Sequence, residues 1–448
     1  KTMGSHTKKK SVVIGLDGTP YSLIDKLTQQ GICPNLSKLL SAGSLREMKS
    51  THPAISSVAW TSFMTGKNPA KHGIFGFMDR IPNTYDMYYP NSKHIQGKPI
   101  WDILSNYNKR SVVINVPSTY PAMAMNGILI SGFVAIDLAR ASFPASIVPT
   151  LKDMGYKIDV ETQLIHESKD KLFEDLFLTL EKRTRAMLHF MKNEVWDLFI
   201  GIFTETDRLH HFFWEFMEKN DSKYSPLFLN YYKTIDASLG KIMENIDNDT
   251  TLILLSDHGF CTLQQEVYIN HWLKEEGFLN FKTTPPKALS DIGAGSRAYC
   301  LDPGRIYINL RGREPMGCVE PGNDYEQLRN TLISKLTGLK DPVTQTTIID
   351  RIHKREEIYQ GENFNKAPDL VIEPKRGYDL KGAIYKETLL NKGVFSGMHT
   401  YDDAFVYINQ KNITKHPLEI IDVTATILNS LDIPIPSDMD GKNFVQWN

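Results

Sequence analysis

Three apolar runs, each ending at an acidic residue, constrain this chain more than anything else in it. They are SVVIGLDG (Ser11 to Gly18), WDLFIGIFTETD (Trp196 to Asp207) and TLILLSDHG (Thr251 to Gly259). None alternates apolar with polar residues, so each reads as a strand buried on both faces, the kind found in parallel sheets covered by helices. In open α/β sheets, ligands bind beyond the carboxyl ends of the strands. Asp17, Asp207 and Asp257 therefore have a common place to meet. Carboxylates crowded there repel unless a cation lies among them, and His211, His258 and His399 point to zinc or a similar borderline ion over calcium.

Further strands are expected at SVVINVPS (Ser111 to Ser118), GILISGF (Gly127 to Phe133), RIYINL (Arg305 to Leu310), DLVIEP (Asp369 to Pro374) and FVYIN (Phe405 to Asn409). Helical patterns lie between them, which gives an α/β fold with a doubly wound, mostly parallel sheet flanked by helices. In Lys169 to Lys192 the apolar residues Phe173, Phe177, Leu180, Met187 and Met191 share a helical face; the charged KRTR within it reads as solvated. A second apolar helix spans Asp422 to Leu431 and is stopped by the prolines of DIPIP.

Residues 1–10 are set aside as an expression remnant (KTMGSH) and lead-in. Residues 11–261 and 366–448 form the expected catalytic core. Turn-rich text from Thr262 onward marks 262–365 as an inserted cap, with the chain returning to the sheet at DLVIEP.

The 51 Lys plus Arg against 52 Asp plus Glu leave no charge bias toward a nucleic acid duplex or an anionic membrane. No apolar stretch approaches the roughly 20 residues that span a bilayer. Cysteines 33, 261, 300 and 318 show no CxxC spacing and read as free thiols of a reducing compartment. A cytoplasmic location is expected, with a removed signal peptide as the alternative.

HPAISSVAWTSFMTGKNPAKHG, from His52 to Gly73, reads as a loop entering a helix whose helical part is AWTSFMTG. A serine at a helix start has unpaired amides and a favourable dipole for phosphate beside it. A serine hydroxyl needs a base or a metal to become a nucleophile, and no GxSxG motif supplies the base. Paired divalent ions are the remaining route, and they suit in-line phosphoryl transfer.

The ordered set LDG, the serine loop before WTSFMTGKNPAKHGI, Asp207 with His211, SDHG and SGMH resembles the alkaline phosphatase superfamily. INLRGREPMG (Ile308 to Gly317) and IPIPSDMDG (Ile433 to Gly441) extend the likeness over nearly the whole chain. The resemblance is to the type I phosphodiesterase/nucleotide pyrophosphatase branch and its phosphohydrolase and phosphomutase relatives. It implies that Asp17, Ser56, Asp257 and His258 surround one metal, and that Asp207, His211 and His399 hold another. Ser56 is the implied nucleophile, with Ser57 the second choice. Nucleotide pyrophosphatases carry an asparagine three residues after the nucleophile, where this chain has Ala59. Arg208, Trp60 and Lys67 are the expected substrate-binding residues in its place, with Lys71 and His72 as further donors.

The expected activity is a two-metal phosphohydrolase of the phosphodiesterase/nucleotide pyrophosphatase type. Ser56 attacks phosphorus and water releases the phosphoseryl intermediate. The expected cofactors are two divalent ions, zinc first and then manganese or magnesium. The expected partner is a small phosphate ester such as a nucleotide. The alternatives are a metal-dependent phosphomutase and a non-catalytic metalloprotein that binds phosphorylated ligands.

Overall fold

A computed structural model of the chain describes residues 8–447. The KTMGSH remnant lies outside these residues. A nine-stranded sheet runs in the order Leu418–Glu419, Ser44–Lys49, Ala404–Ile408, Thr251–Leu255, Ser11–Leu16, Leu198–Phe203, Ser111–Ile114, Gly127–Ile130 and Ser142–Phe143. From Thr251–Leu255 through Gly127–Ile130, neighbouring strands are parallel. Ala404–Ile408 runs antiparallel to both of its neighbours.

Both faces of this sheet are covered, as the unbroken apolar runs require. Val12 and Ile14 pack into one core with the long helices Lys169–Asn193, Glu205–Glu218 and Tyr224–Met243. Val13 between them packs into another, with the helices Ser56–Thr65 and Ile420–Ser430. The three strands that carry the acids are direct neighbours and end level: Leu16 is in register with Phe203, and Gly15 with Leu255. Asp17, Asp257 and the first turn of the Glu205–Glu218 helix thus leave the sheet at one edge.

The Lys169–Asn193 helix forms as its periodicity predicts, but KRTR is solvated only in part: Arg185 is exposed, whereas Arg183 and Thr184 are buried. Arg183 is 0 % exposed. Its guanidinium bonds Glu205 Oε1 from Nε at 3.0 Å and from Nη2 at 2.8 Å, and it also donates to the Tyr156 hydroxyl. Glu205 opens the helix that carries Asp207 and His211, so this buried pair fixes the start of a site-bearing element.

RIYINL and DLVIEP form strands, but not in the large sheet. Arg305–Ile308 and Leu370–Pro374 belong to an antiparallel four-stranded sheet with Ala298–Leu301 and Ile349–Lys354. The helix Asn323–Thr337 packs Leu328, Leu332 and Leu336 into this second sheet's own core. DLVIEP therefore does not return the chain to the large sheet. The next strand of the chain to pair in that sheet is Ala404–Ile408.

Cys33, Cys261, Cys300 and Cys318 are all unpaired. Among the described residues, no helix is long and apolar enough to cross a membrane.

Candidate metal centre and nucleophile

Asp17 follows the last residue of its strand, and its successor Gly18 takes φ +70°, a turn conformation that favours glycine. This turn aims the Gly18 amide at Asp257 Oδ1, 2.9 Å away. Asp207 lies in the first turn of the Glu205–Glu218 helix, and His211 one turn on, so both side chains share a face. His399 arrives from far along the sequence on Gly397–Thr400. That strand pairs antiparallel with Gly259–Thr262 and sets His399 opposite Phe260, just past His258.

Ser56 is the first residue of its helix, which starts there and not at Ala59. The helix is buried on nearly all sides from Val58 to Thr65 and ends at Gly66, in the left-handed conformation. The sheet edge and this helix start bring seven ligand-type residues together in two groups.

In the first group, Ser56 Oγ lies 3.1 Å from Asp17 Oδ1 and 3.3 Å from His258 Nε2. His258 Nε2 is 3.4 Å from Asp17 Oδ1 and 3.3 Å from Asp257 Oδ2. In the second, His399 Nε2 is 3.1 Å from both Asp207 Oδ1 and His211 Nε2, and His211 Nε2 is 3.4 Å from Asp207 Oδ1. Ligands about 2.0–2.1 Å from a tetrahedral zinc ion stand about 3.3 Å from one another. Both groups have that spacing. The groups adjoin, since His258 Nε2 is 3.7 Å from Asp207 Oδ1 and the His258 and His399 rings stack at 3.6 Å.

The electrostatics ask for cations here. Asp17, Asp207 and Asp257 are 1 %, 2 % and 0 % exposed. Two such charges about 4 Å apart repel by about 4 kcal/mol at an effective dielectric of about 20. Burial, with Asp17 beside it, pushes the Asp257 carboxyl well above its usual range. Burial alone would lower the His258 imidazole, but the carboxylates of Asp257, Asp17 and Asp207 outweigh it and raise it to about 10. Asp257 Oδ2, although buried, accepts no hydrogen bond. A buried carboxylate oxygen that accepts no hydrogen bond and faces His258 Nε2 at 3.3 Å fits a metal ligand.

The supporting bonds leave the right nitrogens free. His399 Nδ1 lies 2.9 Å from the Ala54 carbonyl and His258 Nδ1 2.9 Å from the Gly259 carbonyl. A proton on each Nδ1 is thereby held by a backbone oxygen, so Nε2 is the nitrogen turned toward the group and the one whose proton an ion would displace. Burial and the neighbouring His258 lower the His399 imidazole to about 4, so it stays neutral, as a ligand must. His210 points away: its nitrogens face the Gly18 carbonyl and the Tyr232 hydroxyl.

The expected substrate-binding residues fare differently. Trp60 is fully buried and donates from Nε1 to Asp17 Oδ2 at 2.9 Å, so it orients a ligand and lines no open pocket. Lys67 follows the far end of a helix about 15 Å long that starts at Ser56, and its ammonium pairs with Asp438. Lys71 pairs with Asp440, and His72 is buried against Ser62. Ala59 is buried in the helix core. Arg208 does adjoin the site, and two carboxylates already engage it: Asp207 Oδ2 at 2.6 Å and Asp159 Oδ2 at 2.9 Å. Its guanidinium also lies over the Phe133 ring, 4.6 Å from the centroid.

Two features beside the site escaped the sequence reading. Asp159 is one, having no periodic or motif context. The other is an aromatic wall of Phe77, Tyr89 and Phe133 beside Ser57, in which Phe77 is 38 % exposed. Its exposure is a tertiary outcome that composition does not signal.

The sequence model of type I phosphodiesterase / nucleotide pyrophosphatase matches residues 11–402. The chain belongs to this family. Its members are phosphoester hydrolases, and the two ligand groups match that metal-dependent chemistry. Phosphonoacetate hydrolase from Sinorhizobium meliloti, solved with phosphonoacetate, is similar in fold, with a TM-score of 0.65 at 15 % identity over 95 % of this chain and 96 % of that one. Murine ectonucleotide pyrophosphatase / phosphodiesterase 5, solved in an inactive form with AMP, gives a TM-score of 0.58 at 14 % identity, covering 98 % and 97 %. At these identities the likeness shows the alkaline-phosphatase-like fold alone. No curated relative matches by sequence.

Proposed function

We propose that this type I phosphodiesterase family member hydrolyses phosphodiester or pyrophosphate bonds through Ser56, between two divalent metal centres. The observation that carries the reading is the position of Ser56 Oγ at the start of its helix, within 3.3 Å of both Asp17 Oδ1 and His258 Nε2. Asp17, Ser56, Asp257 and His258 would hold one ion, and Asp207, His211 and His399 the other. The imidazole and carboxylate donors favour zinc, which when bound would supply Lewis acidity for phosphoryl transfer.

The chain's own residues do the rest. Ser56 Oγ forms the new bond to phosphorus as the bond to the leaving oxygen breaks on the opposite side. Water then attacks this seryl phosphodiester, which still carries the substrate's second ester group, so that a phosphate monoester leaves and the Ser56 hydroxyl is restored. The first amides of the Ser56 helix face the phosphoryl oxygens with their unpaired N–H groups. Trp60 holds Asp17 from below, and Arg208 holds Asp207 from the side. The exposed ring of Phe77, with Tyr89 and Phe133, offers a flat apolar surface for an aryl or nucleobase group. The AMP complex of the murine relative supports a nucleotide-type ester. The free cysteines support a reducing, cytoplasmic location.

An aryl phosphodiester assayed with zinc present tests the reading. Ser56→Ala is expected to abolish turnover, whereas Ser57→Ala retains it. Undiminished turnover by folded Ser56→Ala protein contradicts it.

A further inference from the structure

Outside the catalytic groups, a third set of metal-ligand side chains stands between the large-sheet domain and the second sheet. His52 comes from the loop that enters the Ser56 helix, four residues before Ser56. His353 lies on the edge strand Ile349–Lys354 and Glu373 on the neighbouring Leu370–Pro374. Arg351 is in register with Glu373, which makes His353 and Glu373 diagonal neighbours on one face of that sheet. His353 Nε2 is 2.8 Å from Glu373 Oε2, and the His52 and His353 rings are 4.4 Å apart. One ligand atom from each of the three falls within 4.8 Å of the others.

We propose that His52, His353 and Glu373 form a third divalent-metal site of the zinc class, which clamps the second sheet to the loop that carries the nucleophile. Two imidazoles and a carboxylate are a proven zinc donor set, and three protein ligands leave the fourth position open. The surroundings favour a cation. The cleft at these residues is also lined by Asp350, Glu357, Asp402 and Glu419, against the cationic Lys49 and Arg351.

The position gives the site a consequence for the reaction. His52 and Glu373 also line a second cleft, of about 470 Å³, that reaches His211 and His399. Tyr359 donates its hydroxyl to the His52 carbonyl and His52 stacks on Tyr401 at 4.2 Å, so the loop is already held in place for a ligand. An ion bound here joins two separately packed cores across the mouth of the active site.

The inference does not depend on Ser56 being the nucleophile or on the catalytic groups being filled. The test is zinc content by mass spectrometry after zinc loading and gel filtration in metal-free buffer. Wild-type protein is compared with Glu373→Gln, His353→Gln and His52→Asn, each checked for folding by circular dichroism. Each folded variant is expected to retain one equivalent fewer than wild type. Cobalt loading of the same proteins is expected to lose one tetrahedral contribution to the visible absorption. Zinc counts equal to wild type in the folded variants overturn the proposal. Empty catalytic groups would instead lower all four counts alike and leave the difference intact, so the two failures are distinguishable.

Discussion

The Nε2 atoms of His211 and His399 face each other at 3.1 Å, although the residues are 188 apart in sequence. Asp207 Oδ1 stands 3.1 Å from one and 3.4 Å from the other. A single proton cannot satisfy three converging acceptors, whereas one cation can. Chelation is therefore expected to abolish hydrolysis and to lower the thermal midpoint, with zinc restoring both. An ion that binds only the native state stabilises it by about 2.7 kcal/mol at about 100 times its dissociation constant. Differential scanning calorimetry with and without chelator checks this. An unchanged midpoint would falsify the assignment.

Arg183→Ala is expected to destabilise the protein by about 3–5 kcal/mol, because it leaves Glu205 charged and unpaired in the core. Both side chains are 0 % exposed, so solvent screening does not reduce the cost. Replacing both partners with apolar residues of similar size should recover much of the loss. Urea unfolding of the single and double variants measures it. Asp207 sits two residues from Glu205, so the single variant should also bind zinc less tightly.

His72 gives an acid-side signature. Burial lowers its imidazole to about 3, far below an exposed histidine. It is neutral in the fold, and the unfolded chain takes up its proton first as pH falls. Its contribution is thus complete above about pH 6.5 and declines between there and about pH 3, by up to about 1.4 kcal/mol per pH unit. His72→Gln should flatten the pH dependence of stability in that window, as read from denaturation midpoints. A slope equal to wild type contradicts the assignment.

How much of this was legible follows from how local each signal is. Asp17 and Asp257 were readable because an apolar strand run stops at each within the sequence itself. Asp207 and His211 were readable as a helical pair. RIYINL and DLVIEP read correctly as strands but not as members of a second sheet, because pairing is decided by partners far away, such as Ile349–Lys354. KRTR looked solvated because the residue that neutralises Arg183 lies 22 positions on, across a strand. Trp60 and Lys67 were drawn toward substrate by proximity in sequence to Ser56, but a helix turns one into the core and carries the other to its far end. His52, His353 and Glu373 carry no shared motif, and only the packing of one sheet on the other brings them together.

If Ser56 takes the phosphoryl group, the enzyme carries it covalently between attack and hydrolysis, where it can be trapped. Zinc-loaded enzyme is mixed with an aryl phosphodiester, quenched in acid during turnover and digested, and the peptides are read by tandem mass spectrometry. The expected result is Ser56 esterified to the phosphoryl group with the substrate's second ester group still attached, a mass increment absent from Ser56→Ala protein. A phosphorylated residue elsewhere, or rapid turnover with no phosphopeptide and no burst of released alcohol, contradicts it.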